Sequence, residues 1–202
     1  MKQQLIVLHY SQLSGSDVSL SIKAFADKTQ KSTKEIGDLV AQQMRADGAI
    51  HDFILGKINE SQFVQRMNNV LNDTLGVETP LTHTEFINCW NAMCVIKNET
   101  LEFLKDLEHL QKKFGFKLLV ICNSNETQHQ FISDKLAKAG VKLDLEYKLS
   151  FKEGSLLNKQ ALAAYEGEFE VQNLMDVKAQ DDILIGIRRL NPGRAPLRLV
   201  CR

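Results

Sequence analysis

Only three prolines, four cysteines and one tryptophan occur in 202 residues, and neither charge is in excess. Each shortage excludes something. So few prolines leave no Pro-rich linker, which argues against a string of modules. The cysteines at 89, 94, 122 and 201 form no Cys-x-x-Cys pair and no close even framework. They read as reduced thiols of a cytoplasmic protein rather than as a disulfide scaffold. Twenty-five Lys+Arg balance 25 Asp+Glu, so the overall field gives no handle for nucleic acid or an anionic membrane. The apolar run at 5–8 is too short for a signal core or a bilayer span. No Gly-x-Gly-x-x-Gly, no Walker Gly-Lys-Ser/Thr and no His-Glu-x-x-His is present.

The remaining composition is that of a globular protein, 44% hydrophobic and 25% charged. A chain of this length buries about 70% of its unfolded surface and needs no metal or disulfide to fold. Charge is uneven only at the end, where 183–202 carries Arg188, Arg189, Arg194, Arg198 and Arg202 with no acid. Such a segment can meet phosphate or an acidic partner, or can simply keep an edge strand from aggregating. No aromatic residue lies among the arginines to stack bases.

Residues 4–8 (Gln-Leu-Ile-Val-Leu) and 117–122 (Lys-Leu-Leu-Val-Ile-Cys) are continuous apolar runs, the pattern of strands buried on both faces. Between them the grammar is helical. Val18, Ile22 and Phe25 recur at helix spacing; Ser32 or Thr33 caps a helix carrying Ile36, Leu39, Val40 and Met44. Asn59 with Gln62, and Thr82 with Glu85, are capping boxes opening two more helices. A leucine-faced helix with Leu101, Leu104, Leu107 and Leu110 precedes the second strand. Helix follows at 126–139, weaker strands at 145–149, 171–175 and 197–201, and a further helix at about 157–165. The expected fold is α/β, a three-layer sandwich with a mostly parallel, Rossmann-like sheet, receiving an all-α cap after its first strand. The core spans 1–14 and 96–202, the four-helix cap 15–95.

In such a sheet the ligand sits at the carboxyl ends of the strands. That selects His9-Tyr10-Ser11, Cys122-Asn123-Ser124 and Asp176. Three stretches, in this order, resemble the haloacid dehalogenase (HAD) superfamily with a helical-bundle cap. They are Gly56-Lys57-Ile58-Asn59-Glu60-Ser61-Gln62-Phe63, then Phe86-Ile87-Asn88-Cys89-Trp90-Asn91-Ala92-Met93 with Thr100-Leu101-Glu102-Phe103-Leu104, then Leu118-Leu119-Val120-Ile121-Cys122-Asn123-Ser124-Asn125-Glu126. The likeness covers 50–132. It implies a hydrolase-like, magnesium-dependent phosphatase site, and this sequence departs from that site at most positions. His9 and Ser11 stand where the family has its nucleophilic Asp and its acid/base Asp. Cys122 stands for the Ser/Thr that contacts the phosphoryl oxygen, and the family's Lys falls near Leu157, flanked by Lys152 and Lys159. Asp176-Val177 keeps one acid of the pair that holds the metal, the nearest intact pair being Asp181-Asp182.

The resemblance therefore implies a pseudoenzyme. No cofactor is expected to be held, since the ligands for magnesium are largely missing. Such a relative would bind a protein partner, or a small phosphorylated ligand through Asn123, Ser124 and Asn125. Other readings of the same residues stay open. Cys122 with His9, oriented by Asp176, is a nucleophile candidate, and the same three could ligate zinc. A residual phosphatase could use a shifted acid such as Asp17.

Overall fold

The computed structural model describes residues 2–157 and 159–173. Among the described residues, strand β1 (Gln3–His9) runs through the middle of a four-stranded parallel sheet. Its neighbours are β4 (Lys117–Cys122) and β6 (Phe169–Asn173), and β5 (Leu145–Leu149) lies outside β4, giving the order β5-β4-β1-β6. The sheet's two faces pack against different partners, as the pleat requires. Ile6, Leu8, Leu118 and Val120 join Phe103, Leu104 and Leu107 of α7 (Asn98–Phe114) and Ile132 and Leu136 of α8 (Glu126–Lys138). Leu5, Val7, Leu119 and Ile121 pack with Leu157, Leu162 and Phe169. Parallel strands with both faces covered explain the unbroken apolar runs.

After β1 comes a single turn, α1 (Tyr10–Leu13), then the short strand β2 (Gly15–Ser16), which pairs antiparallel with β3 (Cys94–Val95). Every element between the two is a helix: α2 (Val18–Thr29), α3 (Thr33–Gln43), α4 (Ala49–Ile54), α5 (Glu60–Leu75) and α6 (His83–Asn91). Ser32, Asn59 and Thr82 each accept from the backbone N–H three residues on, and Glu35, Gln62 and Glu85 answer from that position. The choice between Ser32 and Thr33 as cap falls on Ser32. Aromatic rings fill the centre of these helices. Phe63 stacks on Phe53 at 4.2 Å and meets Phe86 and Trp90 edge-on at 5.4 and 5.0 Å. Phe86 and Trp90 are thus core residues.

Several sequence expectations need correction. There are five helices here rather than four, because α4 follows Gly48 directly. The expected helix at 157–165 is a 3₁₀ turn (Lys159–Leu162) and a single turn α10 (Ala163–Glu166). Leu157 stays out of it because the Asn123 side chain takes both its N–H and its C=O. The strand expected at 171–175 begins earlier, at Phe169. The strand at 197–201, the arginine segment and Asp181-Asp182 lie outside the described residues.

Candidate functional site at the strand ends

β1 and β4 end side by side, with His9 opposite Ile121. The one-residue offset between His9 and Cys122 decides what they can do together. His9 follows the alternation of Leu5 and Val7, whereas Cys122 follows that of Leu118 and Val120 on the other face. The two candidates end adjacent strands on opposite faces of the sheet. Asp176 lies outside the described residues.

Cys122 is fully buried. Burial pushes its thiol up to about 12, partly opposed by hydrogen bonds from Ser124. Its electrostatic neighbours are Cys94 and the phenols of Tyr10 and Tyr147. Tyr10 donates its hydroxyl proton to the Gln128 carbonyl at 2.8 Å, and burial pushes that phenol up as well. A thiol in this setting stays protonated at neutral pH and behaves as a small apolar residue. The His9 backbone N–H donates to Gln12 Oε1 at 2.8 Å, and Ser11 is exposed on α1.

The turn after β4 is tightly built. Asn123 donates to the Leu157 carbonyl at 2.8 Å and accepts from its N–H at 2.7 Å. Ser124 Oγ donates to Gln128 Oε1 at 2.8 Å. Asn125, wholly buried, caps α8 by accepting from Gln128 N at 3.0 Å and donates to Gln128 Oε1 at 3.0 Å. The side chains expected to hold a ligand are therefore engaged within the protein, leaving backbone and α8 residues to face one. Leu157, near which the resemblance puts the family's lysine, packs in the apolar cluster under β1.

Hard cations take carboxylate oxygens, and among the described residues the ends of β1 and β4 offer an imidazole, a hydroxyl and a buried thiol, which do not make a magnesium donor set. Among the described residues no group of three or more His, Cys, Asp or Glu could hold a metal ion. Asp17, the alternative acid, is spent capping α2 through Ser19, accepting from its N–H at 3.1 Å and its hydroxyl at 2.5 Å.

The helical segment touches this site at three places that sequence reading did not find. Ser150 Oγ lies within hydrogen-bond distance of the carbonyls of Ile54 and Ser124, at 3.0 and 3.1 Å. Gly56 packs against the Phe151 carbonyl. Thr127 on α8 donates its hydroxyl to Glu60 on α5, and the second Glu60 oxygen lies 3.0 Å from His83 Nε2. The only local signal is that Gly56 and Glu60 fall in the segment resembling the family's cap. His129 sits edge-on to Tyr147 at 4.7 Å, and burial lowers its pKa. A cavity of about 270 Å³ beside the ribbon, among Asn91, Val95, Phe131 and Lys135, contains none of the candidate residues.

No family model matches the sequence, and no curated protein matches it. Solved structures do. A HAD family enzyme from Bacteroides thetaiotaomicron superposes with a TM-score of 0.61 at 16% identity, over 86% of this chain and 83% of that one. The same enzyme in complex with magnesium and inorganic phosphate superposes with a TM-score of 0.58 at 12% identity, over 82% and 79%. The chain has the HAD fold. At this identity the likeness speaks for the architecture, a parallel α/β sheet with a helical segment after its first strand, and the chemistry rests on the residues. Among the described residues of this HAD-fold chain, no helix is long and apolar enough to cross a membrane.

Proposed function

We propose that this HAD-fold protein is a pseudoenzyme: it acts by binding, taking a protein partner or a small phosphorylated ligand at the strand-end cleft, and does not carry out phosphoryl transfer. One observation carries the reading. The phosphoryl-contact position after β4 is a wholly buried thiol whose pKa is pushed up to about 12, next to a strand end that supplies His9 in place of a carboxylate. A covalent aspartyl intermediate needs a carboxylate there, and Leu157, near which the family's phosphate-balancing lysine is expected, is buried. The same thiol argues against a Cys122–His9 hydrolase, since nucleophilic cysteines are partly exposed with a lowered pKa. Fold likeness alone assigns no activity.

The test is hydrolysis of para-nitrophenyl phosphate by the purified chain, with and without millimolar magnesium, beside a His9→Ala variant. No turnover above buffer supports the reading. Magnesium-dependent turnover that disappears in His9→Ala overturns it.

A further inference from the structure

We propose that Glu60 is a built-in occupant of the turn that opens α8: its carboxylate holds the place an incoming oxyanion would take and keeps phosphate out of the cleft until it is displaced. This rests on the binding reading above and concerns the regulation of the same site. Glu60 starts α5, yet its side chain reaches across to Thr127, the second residue of α8, whose hydroxyl donates to Oε2. The other oxygen, Oε1, lies 3.0 Å from His83 Nε2 at the start of α6. Both oxygens are thus held, by side chains from two other helices.

The location is what an anion prefers. The carboxylate sits against the first turns of α5 and α8, where the positive ends of both helix dipoles lie. A second observation marks the same turn. Gln128, nine-tenths buried, has its amide head fixed there by Ser124 and Asn125 through Oε1, while its Nε2 has no acceptor. The first turn of α8 therefore carries a buried amide N–H without an acceptor at Gln128, one residue on from the Thr127 that holds the carboxylate. The negative charge of Glu60 opposes a second anion at close range.

The experiment titrates inorganic phosphate into the full chain at constant ionic strength, with chloride as control, and follows amide chemical shifts of 123–128. Wild type is compared with Glu60→Gln, Glu60→Ala and Glu60→Ala/Thr127→Val. Glu60 is a partly exposed first-turn residue, and Glu60→Gln keeps its shape; the melting transition checks that each variant is folded. The expected result is phosphate affinity at least tenfold higher in Glu60→Gln and Glu60→Ala than in wild type, with the gain lost in the double variant. Equal affinity in wild type and both single variants, or a gain that survives Thr127→Val, overturns the proposal. Turnover of a phosphomonoester by the wild type would instead overturn the non-catalytic reading and leave this comparison standing.

Discussion

Replacing Gly56 by alanine should uncouple the helical segment from the sheet, and Gly76 supplies the control. Both glycines have positive φ, +68° and +62°, so alanine at either incurs the left-handed penalty of about 1–2 kcal/mol. At Gly76 nothing lies within 4 Å of the added Cβ, so that penalty is the whole effect. At Gly56 the Cβ would stand 2.1 Å from the Phe151 carbonyl oxygen and 3.0 Å from its carbon. Backbone cannot rotate away as a side chain does, so α4 or α9 (Ser150–Glu153) must shift, and overpacking of this kind costs about 1–3 kcal/mol. The shift also strains the neighbouring hydrogen bond from Ser150 Oγ to Ile54 O, which contributes about 1 kcal/mol. Gly56→Ala should therefore lose about 3–6 kcal/mol where Gly76→Ala loses about 1–2. Each kcal/mol corresponds to about 2–4 °C in Tm at this chain length. Urea denaturation of both variants, followed by tryptophan emission from Trp90 in the helical segment, measures the difference. Equal midpoints for the two would refute the close approach at Phe151 and with it the docking of the helical segment on α9.

Two further outcomes follow from the perturbed groups. With its thiol pushed up to about 12, only about one Cys122 in ten thousand is ionised at pH 8. Iodoacetamide should leave Cys122 unmodified in the folded chain and modify it readily in urea; peptide mapping that finds rapid native labelling would show an accessible thiolate instead. Asp52 is held below the usual carboxylate range by hydrogen bonds and charge from Lys57 and Arg66, at 3.1 and 3.2 Å. A depressed folded pKa contributes stability above the unfolded value near 4 and loses it as the pH falls through the folded one. Asp52→Asn should accordingly cost about 1 kcal/mol at pH 7, with the gap to wild type closing as the pH falls below about 4. A gap that stays constant as the pH falls would count against the ion pairs.

How much of this could be read from the chain alone depends on how local the cause is. β1 and β4 are legible because burial on both faces leaves an unbroken apolar run. The capping boxes at Asn59 and Thr82 are legible because their chemistry closes within four residues. Helix α4 is not: six residues gain little from propensity, and what holds it is the burial of Ala49, Ile50 and Phe53. Leu157 reads as a helix start, but its backbone belongs to Asn123, 34 positions away. At the site, strand phase places His9 and Cys122 at neighbouring ends, and only the register, His9 with Ile121, assigns them to opposite faces. Thr127 and Glu60 lie 67 positions apart with no local mark of their contact.

The ribbon of β2 and β3 has a consequence for how this architecture can vary. Gly15 pairs with Val95 and Ser16 with Cys94, so the chain leaves and re-enters the sheet domain at adjoining points. Topologically, the whole helical excursion hangs from the sheet like the tip of a hairpin. Lengthening, trimming or exchanging those helices need not alter the register of β1 against β4. Selection can therefore remodel the helical segment and the strand-end residues on separate schedules.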